Sequence, residues 1–533
     1  MHLRRFFLLF VVLATLASAC ASSDDVPPAL ADADAEEGGA TTDAATGDDF
    51  ESSDEATTDN TTTTIAPRDT VAPPAGILSA ADANAALGRG INIGNTLDAP
   101  REGDWANSVL EAEFFEIIAD AGFEHIRLPI SWAGYADTAA PYTIPETADP
   151  TITHPDYDNI FDRVEWAIDQ ALANDLRIIV NMHHYDAAHE NPTAHHDRMV
   201  AMWTQIAAKF ADQPDEVYFE LFNEPHGVYD TDPELWNSLA ADLISAVRET
   251  NPTRKVIVGP VGFNHISRLE QLVLPDDPYL IGTVHLYEPF VFTHQGATWV
   301  DPQPPTGIGW DPQGVALPSG VTHSSWDTDS SIDANGDLIL TYARQWAGYS
   351  IEWNRPKDFE RVQIEMAGGT SVRFGCRIPD ADVVDLQSIE LTSDATMYTI
   401  DLSVCPETTT GFTMMNETGN LDPVVVTELQ VCIVDLECER TYQSAAEYMR
   451  GRLQIAADWG AARGIPMHLG EFGAFSANGA APLADRAAWT ATVAEAAADL
   501  GLSTSYWEFH LGYGAYDPDA GAWIPELLDA LMS

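Results

Sequence analysis

From about residue 85 onward the chain repeats one unit, a short apolar run followed by a stretch with helical spacing of its apolar residues. Eight runs read as strands, at residues 91–94, 125–130, 177–183, 217–223, 255–258, 282–286, 466–470 and 503–509. Amphipathic stretches at 109–121, 160–174, 199–210, 235–250 and 445–462 lie among them, and a last one follows at 524–532. Strands that alternate with helices build a parallel sheet, because each crossover helix returns the chain to the same end. Eight such units predict an α/β chain closed into a (β/α)8 TIM barrel rather than left as an open sheet.

One spacing does not fit a simple barrel. After the sixth run, about 150 residues pass before the next helix, far more than a structureless loop holds in a compact domain. Their texture is β-like, with candidate strands at 338–342, 349–353, 361–366, 372–377, 396–402 and 429–434 separated by polar and glycine-containing turns. An all-β sandwich inserted after strand 6, over residues 308–442, is the expected solution. The barrel then occupies 79–307 and 443–533. Apart from Cys20, every cysteine lies in the insert: Cys376, Cys405, Cys432 and Cys438. Four cysteines in an exported module predict two disulfides, with three connectivities open. Trp326, Trp346, Trp353 and Tyr349 are the insert's candidates for exposed aromatics. Tyr349, Ile351 and Trp353 also alternate as one face of a strand would.

The first 78 residues are of another kind. Residues 1–20 carry Arg4 and Arg5, an apolar stretch too short for a normal span, and small residues before Cys20. They read as a signal peptide of lipoprotein type. This predicts an extracellular protein, secreted or held at the cell surface by a lipid on Cys20. Residues 21–78 are Ala, Asp, Glu, Ser, Thr and Pro with almost no large apolar side chain, an acidic linker that cannot bury enough surface to order itself.

Charge narrows the partners. The 533 residues hold 83 Asp and Glu against 25 Lys and Arg, a formal net charge of -58. Phosphate contacts need basic groups, so nucleic acid is excluded as a partner, and an anionic polymer would be repelled. A neutral polymer would not. Such acidity suits high ionic strength, where screening weakens self-repulsion, and predicts a saline habitat.

Functional side chains of a barrel gather where strands end. Here the strand ends supply Arg127, His183, His184, Asn223, Glu224, His285, Tyr287, Glu471 and Trp507. Glu224 and Glu471 follow strands 4 and 7, which a barrel brings to one rim. Two carboxylates across a cleft are what glycoside cleavage requires, one holding a proton for the leaving oxygen and the other ionised to attack. Asn223 is placed to bind a sugar 2-hydroxyl, Arg127 and Tyr287 to hold Glu471 ionised, and Trp507 to offer a pyranose ring a flat apolar platform. One Glu at a strand end is more often an ordinary ion-pair partner, and one Trp more often packing; the joint placement carries the reading. His183–His184 lacks a third ligand at a metal-binding spacing, so neither metal nor cofactor is expected. No GxSxG turn suggests an esterase.

The ordered segments RGINIGNTLD (89–98), HIRLPISW (125–132), IIVNMHHYD (178–186), YFELFNEP (218–225), GTVHLYEPFVFTHQG (282–296), MHLGEFGAF (467–475) and SYWEFHLGYGAYD (505–517) resemble glycoside hydrolase family 5, the retaining cellulases. The resemblance covers 85–300 and 445–531. It implies Glu224 as acid/base and Glu471 as nucleophile. Arg127, His183, Asn223, His285 and Tyr287 would surround the cleaved sugar and hold the nucleophile, Trp507 would be its platform, and His184 joins them as a substrate-binding candidate from its strand end alone. It implies cleavage of β-1,4-glucan, with mannan or another β-glucan or glucoside as alternatives within the family and a non-catalytic glycan-binding protein as a remote one. The long insert departs from the family's plan and leaves cleft shape and cleavage mode open.

Overall fold

The computed structural model describes residues 73–533, apart from 75, 106–107, 150–156, 301, 313–314, 317–320, 334–336, 354–358, 379–382, 407, 434–437, 441–442 and 477–478. The expected signal peptide, Cys20 and nearly all of the expected linker lie outside the described residues. Among the described residues no helix is long and apolar enough to cross a membrane.

Eight parallel strands close into a barrel in chain order: β1 (Arg89–Asn92), β2 (His125–Ile130), β3 (Arg177–Met182), β4 (Val217–Glu220), β5 (Val256–Val258), β6 (Leu280–Leu286), β7 (Met467–Phe472) and β8 (Ser503–Tyr506). Closure is made by β1 on β8, with Gly90 opposite Ser505. Both faces of these strands are covered, so β2 and β6 are buried along their whole length, as near-continuous apolar runs must be. Helices form the outer ring where caps and apolar stripes coincide. Ile160–Ala173 starts at Asn159, whose side chain accepts the Asp162 amide. Pro192–Lys209 has Asn191 as its cap and Pro192 in its first turn. A short helix, Ala80–Leu87, plugs the lower end against Ile179, Tyr218, Ile257 and Ile281. A helix over Leu483–Asp499, too alanine-rich to show a strong apolar stripe, packs on β7 and β8.

Four strands end earlier than the sequence predicts, β1 and β3 by one or two residues and β4 and β8 by three. β4 stops at Glu220 and β8 at Tyr506, because the next residues leave the ladder to form the rim. The chain beyond β4 stays tethered, the Leu221 amide donating to Ile257 and the Asn223 amide to Met182.

Between β6 and β7 stand two antiparallel sheets, each of whose inner faces contributes to a core separate from the barrel's. One has its strands in the order 396–401, 359–367, 424–433, 338–342, 328–332, with 438–440 paired to 424–433. The other runs 384–390, 371–377, 411–416, 348–353, 321–326. Tyr349 and Ile351 lie in that core with Val362, Ile364, Phe374, Phe412, Met414 and Leu429, so Tyr349 is packing and not an exposed aromatic. Trp326 is half-buried and lies over Gly348, where a Cβ would meet its ring at 2.1 Å. Trp346 is exposed, and the Trp353 side chain lies outside the described residues. Cys376 and Cys405 form a disulfide. Cys432 and Cys438 are direct cross-strand partners in register, and their side chains lie outside the described residues.

A two-stranded neck, Val315–Ala316 against Gln443–Ser444, joins this module to the barrel. Ser444 is at once the end of the neck and the N-cap of the helix Ala445–Arg463, in a capping box with Glu447. Ile308 and Trp310, ahead of the neck, pack against the barrel core.

Candidate active site

The carboxyl-terminal ends of the barrel strands converge on one buried cation. Arg127, from the middle of β2, is fully buried, and all five of its N–H donors are engaged. Nε and Nη2 donate to the two oxygens of Glu220 on β4, at 2.6 and 2.7 Å. Nη1 donates to Asn92 Oδ1 on β1 at 2.9 Å and to Glu471 Oε1 on β7 at 2.7 Å, and Nη2 donates to Asn223 Oδ1 at 2.7 Å. A guanidinium has five donors in a planar fork, so none is left for a ligand. Arg127, placed around the sugar by its motif, therefore acts by fixing Glu471 and Asn223. The Asn223 amide oxygen is taken by Arg127, which leaves its NH2 group without a partner among the described residues.

Glu471 receives a second hydrogen bond, from the Tyr287 hydroxyl at 3.0 Å on Oε2. Burial pushes its carboxyl above the ordinary range, and His285 and Arg127 pull against that shift. Burial also holds the Tyr287 phenol well above its usual value, so it stays a donor.

Glu224 sits at φ 51, in the left-handed region that a non-glycine residue rarely enters. Its loop is fixed from two sides, because His226 Nδ1–H donates to the Glu224 carbonyl at 2.7 Å and the Phe263 amide donates to the Pro225 carbonyl at 3.3 Å. Burial pushes the Glu224 carboxyl up to about 7, against the nearby Arg127 charge. His285 Nδ1 stands between the two carboxylates, 2.7 Å from Glu224 Oε1 and 3.7 Å from Glu471 Oε2. One oxygen of Glu224 and one of Glu471 lie within 4.8 Å of each other, with His285 within the same reach. Burial pushes His285 down to about 4, so the imidazole is neutral near pH 7.

The other side of the cleft is aromatic. Trp507 stacks on His183 with ring centroids 5.5 Å apart and planes 4° apart, and His183 Nδ1 is paired with Asn181 Oδ1 at 3.0 Å. His184 is exposed and edge-on to both His183 and Trp105. Asp98, His183 and His184 offer atoms within 4.8 Å of one another, a second set with the reach to hold a metal ion. All nine predicted residues thus line this one end of the barrel.

Sequence reasoning missed Glu220, Asn92 and Asn264. Glu220 interrupts the apolar run VYFELF, and an acid inside a buried strand demands a cationic partner, which Arg127 in HIRLPI supplies. That pairing was available as a signal. It also missed loop aromatics at the rim: Trp105, Phe263 stacked on His226, and Trp299, which is exposed and edge-on to Phe475.

The sequence profile described as Cellulase (glycosyl hydrolase family 5) matches residues 83–329. Endoglucanase H of Acetivibrio thermocellus is 36% identical over 214 residues, 40% of this chain and 22% of that protein. Endoglucanase 3 of Fibrobacter succinogenes is 27% identical over 221 residues, 40% of this chain and 33% of that protein. The chain thus matches a third or less of the length of these two relatives. Among solved structures, endoglucanase Cel5A of Thermotoga maritima is 27% identical and superimposes with a TM-score of 0.55, covering 85% of this chain and 100% of that one. The closed barrel, the ordered motifs at its rim and these likenesses together make the barrel of this chain similar to glycoside hydrolase family 5, the cellulase family.

Proposed function

We propose that the protein is a retaining hydrolase of β-1,4-glucan, an endoglucanase acting by double displacement. The observation that carries this reading is the short separation of Glu224 and Glu471, one oxygen of each lying within 4.8 Å of the other. Retaining enzymes hold their carboxyl groups about 5–5.5 Å apart, whereas inverting ones need roughly 6.5–9.5 Å to admit a water. In the first step Glu471 attacks the anomeric carbon while Glu224 gives its proton to the departing glycosidic oxygen. The product is a glycosyl ester on Glu471 and a free sugar hydroxyl. In the second step Glu224, now ionised, takes a proton from water, whose oxygen displaces Glu471 from the same carbon.

The environments support this division of labour. Glu471 is held by two donors, Arg127 and Tyr287, which favour its ionised form, and Glu224 has neither. The NH2 of Asn223 is placed for a sugar 2-hydroxyl, and the Trp507 face for the ring's C–H surface. The glucan assignment draws on the relatives, which are titled endoglucanases. Mannan is the second reading, favoured by the Thermotoga maritima Cel5A structure titled as a complex with mannotriose. Reducing-sugar release and product profiles over carboxymethylcellulose, mixed-linkage glucan, mannan and xylan test the proposal. Internal cleavage of cellulose chains with retained anomeric configuration is the expected result. Initial release of the opposite anomer, or no turnover of any β-glucan, would overturn it.

A further inference from the structure

Gly262, Phe263 and Asn264, after β5, all have positive φ, at 72, 63 and 54. Three left-handed residues in a row, two of them not glycine, cost conformational energy that the surroundings must offset. This backbone delivers the Asn264 side chain into full burial, and Gly259 makes room for it, since a Cβ there would lie 2.2 Å from Asn264 Oδ1. There Asn264 Nδ2 stands 3.2 Å from His285 Nε2. Its own amide oxygen is buried without a partner among the described residues, which costs the fold stability.

A neutral imidazole has one donor and one acceptor nitrogen. An amide N–H aimed at Nε2 makes that nitrogen the acceptor and puts the ring proton on Nδ1. The ionised Glu471, 3.7 Å from Nδ1, favours the same form. Nδ1–H then donates to Glu224 Oε1 at 2.7 Å. With Oε1 accepting a hydrogen bond, the acid proton of Glu224 belongs on Oε2, which has no hydrogen bond among the described residues. In the other tautomer a bare Nδ1 would accept the proton of Glu224 from Oε1 and hold it away from the glycosidic oxygen.

We propose that Asn264 is a positioning residue, holding His285 as the Nδ1–H tautomer so that the acid proton of Glu224 stays on the oxygen facing the substrate. The inference rests on Glu224 being the acid/base. The tests are Asn264→Leu, which removes the amide at similar volume, and Asn264→Asp, whose carboxylate accepts from Nε2–H and selects the opposite tautomer. Both are assayed on cello-oligosaccharides and on a dinitrophenyl cellobioside, whose departure needs no acid. Asn264→Leu should lower kcat on the oligosaccharide about tenfold, a fraction of the roughly 10²–10⁴-fold that general-acid catalysis contributes. Asn264→Asp should lower it further, and both should leave the first step on the activated substrate nearly unchanged. The 15N shifts of the His285 ring in the full wild-type chain, assigned by their loss in His285→Gln, should show protonated Nδ1 and bare Nε2. Equal losses on both substrates, or a proton found on Nε2 in the wild type, would overturn the proposal. Glu224→Gln on the same two substrates separates the failures. If it harms both equally, the acid/base reading falls, while the ring shifts still decide the tautomer.

Discussion

The chain builds two cores, and they are made of opposite materials. The barrel's upper end is a polar interior in which Arg127, Glu220, Asn92, Asn223, His285 and Glu471 lie buried, five of them joined by the donors of Arg127, with His285 beside Glu471. The sandwich fills its interior with Leu338, Leu340, Tyr349, Ile351, Phe374, Phe412 and Met414, and ties it with the Cys376–Cys405 disulfide. Apolar packing is tolerant of detail, because hydrophobic burial has no direction. A buried ion network is not, because each member left unpaired bears the full cost of desolvation. The barrel accepts that cost where chemistry needs fixed charges, and the sandwich avoids it.

The comparison breaks most visibly in activity. Glu471→Ala should lower hydrolysis by on the order of 10⁴-fold or more, because the covalent step disappears, and azide should then yield a glycosyl azide of inverted configuration. Glu224→Gln should match that loss on unactivated glucan and spare the first step on a dinitrophenyl glycoside. Equal losses on both substrates would remove the distinction between the two carboxylates. No substitution on the insert's surface should approach either effect.

Next in size is the ion network itself. Glu220→Gln sets an NH2 group against the donors of Arg127 and leaves a buried guanidinium half-paired. One partner removed from a buried pair costs about 3–5 kcal/mol, so the barrel's thermal midpoint should fall steeply. Activity should fall with it, as Arg127 releases Glu471 and Asn223. A midpoint within one degree of the wild type would show that the network is not what holds the barrel's rim.

The sandwich should respond to a covalent change instead. Replacing Cys376 and Cys405 together by serine opens a link spanning 29 residues. Loop-closure entropy assigns such a link about 3–4 kcal/mol. Calorimetry should show a lowered transition for the insert and an unshifted one for the barrel. A single transition that moves as a whole would mean the two cores unfold together.

The pH profile of kcat/KM should be a bell whose limbs both belong to the barrel. Activity requires protonated Glu224, raised to about 7, so it falls as pH rises through that region. It also requires ionised Glu471, which burial raises, so the acid limb should lie above the ordinary carboxylate range. The two groups are close enough to titrate as a pair, and the limbs are apparent values of that pair. An acid limb below pH 4 would contradict the burial of Glu471. The smallest effect concerns the exposed Trp346, over which the Arg373 guanidinium lies at 5.3 Å. If the insert binds glucan, Trp346→Ala should reduce retention of inactive Glu471→Ala protein on cellulose, leaving hydrolysis of short oligosaccharides unchanged. Unchanged retention would remove Trp346 as a glucan-binding residue.

Reading the sequence reached furthest where burial on both faces writes a continuous apolar run. Strands such as β3, β4 and β6 were legible for that reason, and catalytic candidates came with them because they terminate those runs. In the insert, 338–342 and 372–377 were legible by alternation. Thr328–Ile332 was not, since an edge strand of Thr, Asp and Ser resembles a loop, and Val384–Glu390 exposes most of its side chains. Gly411–Asn416 was missed although wholly buried, its run being short and flanked by threonines. Asn264 was beyond reach in principle. Its role depends on a left-handed backbone at 262–264, and nothing in GFN announces that Phe263 will adopt it.

At the neck, Ala316 lies directly opposite Gln443 in an antiparallel ladder. Partners in such a ladder are about 5 Å apart, close enough for a two-residue turn to join them. To the barrel, therefore, everything beyond the neck is equivalent to a hairpin tip. The catalytic scaffold can lose that cassette, or exchange it for another whose ends meet at the same spacing, without re-registering a single barrel strand. Addition of a whole module at this junction is as neutral for ring closure as lengthening a surface loop.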